Sequence, residues 1–406
     1  MGTILERTGS PNINAGMLRE LEEQLSDSRV LTPNSQEYHA AMERWSDTAE
    51  NLVVVPGIEE DIAKTISFVQ KYGLDLAIVG GGHSTSGAGS SQGGVLISLS
   101  RMRWVTVDPV KRTVTTQGSA LWQDVDQEAG SHGLATVGGV VNHTGVGGLT
   151  LGGGYGWLSR RYGLVVDNLL RVKLPHTDCI GGGKPGALLS DQGRRAQFWG
   201  AFEQRSEVYV GLLAFTPDKL EQVIEFANHL VGDDTADGRS AVYCFLTVPP
   251  GGSESTIVCC VMWNTFEEEG RTRYADLLAL NPVMNTVTMI PYQKVNALLN
   301  DVAVAGDRKS MKGFSFVLPM SPEFVRTMFN EYARIIKEEP YCIKSFIFLK
   351  FLQMGKFVSA SQPEMAFANR GAFLNGVGGW MIPPEHICYL LRRLCCRSDS
   401  RFSILI

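Results

Sequence analysis

A short apolar run, Leu76 to Val79, empties directly into Gly80-Gly81-Gly82, followed by His83 and Ser84. A strand that ends in consecutive glycines lets backbone N–H groups converge on a ligand's oxygens with no Cβ in the way. An ordinary tight turn uses the same residues, so this run alone fixes a strand and a sharp reversal and leaves the ligand open. A second glycine-rich run covers Gly138 to Gly156, and the chain holds 44 glycines in all. Clustering of that kind points to backbone approaching a ligand rather than to a disordered linker.

The chain around these runs, from about Arg29 to Val172, reads as mixed α/β. Ile62, Ile66 and Val69 recur at helical spacing within Glu59 to Tyr72, and Gly73 is placed to cap that helix. Val95 to Leu99, Trp104 to Val107 and Thr113 to Gln117 have the texture of short strands, and Ala120 to Ser131 that of a helix ending at Gly133. From Val208 the pattern changes. Val208 to Phe215 is strand-like, and Thr216-Pro217 opens a helix to about Leu230, with Pro at its first turn. Ala241 to Val248 and Thr256 to Met262 follow as strands, Ser321-Pro322 opens a helix to about Lys337, and Ile343 to Phe351 closes as a strand. Such alternation suits a second α+β domain.

Bulk properties exclude several classes of function. The 406 residues, 44% hydrophobic and 19% charged, are enough for two or three domains with buried cores. A formal charge of −5 offers no basic field for nucleic acid or an anionic membrane. No run reaches the roughly 20 apolar residues that a membrane span needs, and the N-terminus has no signal-peptide texture, so a cytoplasmic location is expected. The eight Cys include the neighbours Cys259-Cys260 and Cys395-Cys396 but no C-x-x-C, which points to buried small hydrophobes and to no metal site. A literal G-x-G-x-x-G occurs at Gly181 to Gly186, yet no strand precedes it and Pro185 stands where its helix should run. A nicotinamide-dependent dehydrogenase is therefore disfavoured.

The two glycine runs together, IVGGGHSTSGAG and GGVVNHTGVGGLTLGGGYGWLSRRYGLVVDNLL, resemble the FAD-linked oxidases of the berberine bridge enzyme-like family, within the wider vanillyl-alcohol oxidase superfamily. The resemblance runs from Arg29 to Val172 and returns more faintly from Val208 to Gly376. It implies an α+β fold: a PCMH-type FAD-binding domain of two subdomains, plus an α+β substrate domain whose antiparallel sheet covers the flavin ring. The expected boundaries are an N-terminal extension at 1–28, the FAD-binding domain at 29–207, the substrate domain at 208–377 and a tail at 378–406.

By the same resemblance Gly80, Gly81, Gly82, His83, Ser84, Gly138, Val141, Thr144, Gly145, Gly148, Gly152 and Tyr155 line the cofactor. His83 falls where the family bonds a histidine to the 8α carbon of the flavin; without that context it is a polar loop residue. Many relatives add a second bond from the Cys of C-P-T-x-G-x-G-G. Here that stretch is Val141-Asn142-His143-Thr144-Gly145-Val146-Gly147-Gly148, so Val141 supplies no thiolate and the chain resembles the singly linked, 6-hydroxy-D-nicotine oxidase-like subgroup. Asn142-His143-Thr144 also matches a glycosylation acceptor, an accidental match if the loop touches flavin.

The implied reaction transfers a hydride equivalent from a small organic substrate to flavin, which dioxygen reoxidises. Tyr155 falls where relatives place a tyrosine beside the flavin, to bind substrate or assist a base; simple packing is the other reading. Leu149 replaces a polar residue of some relatives. The strand from Phe373 to Val377, after the A-F-x-x-R-G turn at Ala366 to Gly371, is expected to face the flavin and offers Asn375 as a catalytic contact. Lys350 reads as a solvent-facing strand residue.

Two segments lack the family's pattern. Lys173 to Glu207 has neither strand nor helix periodicity, and from about Gly378 the expected late elements are missing. Cys179, Cys388, Cys395 and Cys396 lie in these segments. A shifted reading frame or an exon error would produce such gaps. Two readings of function therefore stand: an active FAD-linked oxidoreductase, and a truncated relative that keeps part of the FAD-binding domain and catalyses nothing.

Overall fold

The computed structural model describes residues 13–45, 52–172, 197–232, 238–352, 356, 371 and 373–382. The glycine-rich stretch at Gly181 to Gly186, the turn at Ala366 to Arg370 and the cysteines at 179, 388, 395 and 396 lie outside them. The chain forms two compact units, one of 1–125, 143–148 and 169–200, the other of 126–142, 149–168 and 201–406.

The first unit holds two sheets. One has Ser28–Leu31, Leu52–Pro56, Val95–Ser98 and Leu76–Val79 in that order, antiparallel at its first pairing and parallel thereafter. Leu52–Pro56 is buried along its whole length, as a central strand of such a sheet must be. Helix Glu59–Tyr72 packs Phe68 and Val69 with Leu52, Val54 and Val95, while Ile62 and Ile66 pack with Ile97. Gly73 closes the helix in the left-handed region, at φ 62°, as its position after Tyr72 predicts.

The second sheet of this unit orders Val105–Asp108, Thr113–Thr116, Gln197–Gly200 and Leu169–Arg171, all antiparallel. Gln197–Gly200 lies in the stretch read as patternless, and four residues are too few for periodicity to register. Its Trp199 is fully buried, edge-on to Trp122 at 6.3 Å between ring centroids.

The second unit is built on an eight-stranded antiparallel sheet. Its main path is Met284–Asn285, Glu207–Phe215, Thr256–Trp263, Ser240–Thr247, Phe346–Phe351, Leu374–Ile382 and Arg308–Phe316, with Thr288–Pro291 also on Glu207–Phe215. Alternation gives the sheet two different faces. Val242, Cys244, Leu246, Leu349 and Phe351 join a core with Leu220, Val223, Ile224 and Ala227 of helix Leu220–Gly232, and with Val325 and Phe329 of helix Pro322–Glu338. Their sequence neighbours Tyr243, Phe245, Phe348 and Lys350 therefore project from the other face. Ser321 caps the second helix by accepting from Phe324 N, and Pro322 occupies its first turn, as expected.

Two strands differ from expectation. Ile343 falls after the 3-10 turn Pro340–Cys342, and the strand starts at Phe346. Leu374–Ile382 continues past Gly378 and pairs along its length with Arg308–Phe316.

Candidate functional site

In the first unit, strand Leu76–Val79 delivers the chain into Gly80-Gly81-Gly82 at the level of the 143–148 segment. A Cβ on Gly145 would lie 2.6 Å from Gly81 N and 2.8 Å from Gly81 Cα, and one on Gly81 would collide with the Gly145 backbone in return. Two backbones touch here because neither residue carries a side chain. Gly80 is equally constrained, since its Cβ would meet Gly118 O at 2.8 Å, and Gly82 adopts φ +69°. Gly145 is buried and bridges to Leu121, while Thr144 O accepts from Trp122 N at 3.1 Å. By contrast Gly148 is exposed with open space around its Cβ position, and Ser84 is exposed with its Oγ 2.9 Å from Ser86 Oγ.

His83 is more elaborately held than a loop histidine needs to be. Trp45 stacks on it at 4.6 Å with 14° between the planes, and His83 Nε2 lies 2.7 Å from His143 Nδ1. Beside the loop stands Arg44, whose Cδ is 3.2 Å from the Cβ position of Gly82. Its Nη1 donates to Ala41 O and Glu43 O, but its Nε and Nη2 are buried without a partner among the described residues. Burial lowers this guanidinium to about 10. Unsatisfied buried donors of positive charge are costly unless an anion takes them. The sequence reading missed Arg44, since no motif marks it.

The rest of the second glycine run belongs to the other unit. A Cβ on Gly156 would run into the Gly138 carbonyl, so these two glycines also meet backbone to backbone. Gly153 and Gly154 take positive φ, and Gly152 is exposed. Val141 is half-buried, and the neighbouring Asn142 has its Oδ1 buried, an environment unsuited to a glycan.

The turn from Gly154 to Trp157 is fastened to the sheet's free face. Tyr243 Oη donates to Gly156 O at 3.2 Å, and the Tyr243 ring packs on Trp157 at 4.8 Å. Trp157 Nε1 donates to Asn296 Oδ1 at 2.9 Å, and Asn296 Nδ2 donates to the buried Asp126 at 2.7 Å. Burial pushes the Asp126 carboxyl up to about 7, with the Asn296 hydrogen bond acting in the opposite sense.

That fastening presents Tyr155. Asn375 Nδ2 donates to Tyr155 Oη at 2.6 Å, so the two residues expected to be catalytic do meet. Lys350 Nζ sits 4.5 Å from the Tyr155 ring centroid and 5.3 Å from that of Phe348. Lys350 is thus not the solvent-facing residue its sequence suggests. It is half-buried and pairs in register with Tyr243, and loss of hydration brings its ammonium down to about 8. Strand alternation alone could have flagged it, because Leu349 and Phe351 point to the helix-covered core. A donated hydrogen bond at the oxygen and a cation over the ring both stabilise negative charge on a phenol. A surface groove lined by Phe226, Trp263, Glu269 and Asp276 shares no residue with this cluster.

Comparison with known proteins agrees with this architecture. The FAD binding domain family matches residues 51–178. FAD-linked oxidoreductase pgmH of Aspergillus terreus is 31% identical over 326 residues, covering 75% of this chain; the chain spans 65% of the length of that relative. Among solved structures, 6-hydroxy-D-nicotine oxidase of Arthrobacter nicotinovorans superposes with a TM-score of 0.70 at 20% identity, covering 91% of this chain and 85% of that one. A variant of berberine bridge enzyme gives 0.73 at 15% identity, covering 93% and 83%. Among the described residues, no helix is long and apolar enough to cross a membrane. Residues 51–178 thus match the FAD binding domain family, the fold is the α+β fold of these flavin oxidases, and the chain is similar to FAD-linked oxidoreductases.

Proposed function

We propose that this chain is an FAD-dependent oxidoreductase that removes a hydride equivalent from a small organic substrate of the secondary-metabolite kind, with dioxygen as the final oxidant. The observation that carries the reading is the backbone contact of Gly81 with Gly145 beside the Arg44 guanidinium, whose Nε and Nη2 have no partner among the described residues. It suits a pyrophosphate, which needs close N–H donors and a positive countercharge. FAD-binding residues are assigned to 29–207 and substrate-binding residues to 208–377. His83 is the single covalent anchor, because Val141 offers no thiol. The four buried free thiols of the described residues, Cys244, Cys259, Cys260 and Cys342, suit a reducing cytoplasmic compartment.

When bound, FAD supplies the two-electron acceptor. The protein's own part is to orient the substrate and manage its proton. Tyr155 takes that proton at Oη, Asn375 fixes the phenol by hydrogen bonding, and Lys350 supplies the countercharge over the ring. Trp157, Asn296 and Asp126 hold the turn that carries Tyr155.

Anaerobic titration of the purified flavoprotein with hydroxylated aromatics, alkaloids, sugars and polyketides tests this reading. Bleaching of the flavin absorbance by one class, reversed when air is admitted, supports it. A bound flavin that none of these classes reduces counts against an oxidoreductase and favours an inactive relative.

A further inference from the structure

Sixty residues separate His83 from His143, yet their rings meet nitrogen to nitrogen, Nε2 to Nδ1, at 2.7 Å. The ring centroids are 4.7 Å apart and the planes 35° off parallel, so the contact is a hydrogen bond rather than a stack. Both residues lie in the first unit, as does Trp45, which lies flat on His83. His143 occupies the position that the C-P-T-x-G-x-G-G pattern fills with Thr.

We propose that His143 is the proton acceptor that enables His83 to bond covalently to FAD. The inference rests on the reading of His83 as the anchor. A neutral imidazole carries one N–H and one lone pair, and bonding carbon through the lone pair leaves a cation unless the N–H proton departs. With Nε2–H of His83 donating to Nδ1 of His143, the lone pair that attacks is at His83 Nδ1. The new bond joins that nitrogen to a ring-methyl carbon of the flavin, and one C–H bond of the methyl breaks, its electron pair passing into the flavin ring and its proton to solvent. The Nε2 proton passes to His143. The two electrons released reduce the flavin and then dioxygen, which takes up two protons as hydrogen peroxide. Trp45 assists because the face of an indole attracts a ring that is gaining positive charge.

The full chain, expressed under flavin limitation and then supplied with FAD, provides the test. Total bound flavin is read by absorbance after gel filtration, and covalent flavin by fluorescence of the denatured chain. His143→Ala and His143→Gln are expected to bind FAD and to attach it at least about tenfold more slowly than the wild type, with added imidazole restoring part of the rate to His143→Ala. Glutamine keeps a hydrogen-bond acceptor beside His83 but cannot take its proton. Attachment at the wild-type rate in either variant overturns the proposal. So does failure of both variants to bind FAD at all, since His143 would then be structural. His83→Ala separates the two ideas: covalent flavin surviving that substitution refutes the anchor itself, whatever His143 does.

Discussion

Asn375 Nδ2 and Tyr155 Oη are joined by a 2.6 Å hydrogen bond across 220 residues of sequence. The bond ties a glycine-flanked turn to a strand of the large sheet, and it fixes the phenol oxygen at one point. Tyr155→Phe keeps the ring under Lys350 and deletes only that oxygen. Its rate of flavin reduction is expected to fall on the order of 10²- to 10⁴-fold, the usual worth of a placed acid–base group, with FAD content unchanged. Stopped-flow absorbance checks this, and a rate within twofold of wild type removes Tyr155 from the proton path.

Lys350 should set the alkaline limb of activity. Its ammonium, brought down to about 8 by desolvation, is charged at neutral pH and loses its charge above it. Activity is expected to decline as pH rises through about 8 in the wild type and to lose that limb in Lys350→Met. The folded state holds this proton less tightly than the unfolded chain does. Folding therefore releases a proton between about 8 and the ordinary 10.5, and wild-type stability rises with pH across that window. Lys350→Met is expected to gain most in melting midpoint near neutrality.

Asp126 has the opposite dependence for a carboxyl. Burial raises it from 3.8 to about 7, so its contribution to stability is fully present below 3.8 and is lost as pH climbs through about 7. Asp126→Asn keeps an acceptor for Asn296 Nδ2 and cannot ionise. Its stability should match the wild type near pH 4 and exceed it by on the order of 4 kcal/mol near pH 8. Urea midpoints at the two pH values decide the matter; an unchanging difference would falsify the assignment of the shift to burial.

Glycines that read alike in the sequence should differ sharply on substitution. Gly81→Ala drives a methyl into the Gly145 backbone, and strain from such overpacking costs about 1–3 kcal/mol. It is expected to lower both the melting midpoint and the flavin content. Gly148→Ala adds its methyl to open space and should retain both. Equal behaviour of the two variants contradicts the assignment of Gly81 to the cradle.

The fold was largely legible because its elements carry strong local signals. Helix Glu59–Tyr72 has apolar spacing, an acidic first turn and a glycine cap, all pointing one way. Arg308–Phe316 was not legible, because it lies mostly exposed and alternates too weakly to announce a strand. Gly81, Gly145 and Tyr155 could be picked out because glycine runs and the Y in GGGYG are local motifs. Arg44 carries no such motif, and His143 stands within one but departs from its pattern; their roles arise only when distant segments meet. Lys350 was misjudged for a related reason: lysine is usually solvated, and only its neighbours Leu349 and Phe351 reveal that it faces inward from the strand's other side.

Flavin content of the purified full chain tests the central claim most directly. The absorbance of native protein, set against flavin released or retained on denaturation, gives the stoichiometry. One FAD per chain is expected, retained on denaturation through His83. A colourless chain that takes up no added FAD contradicts the account.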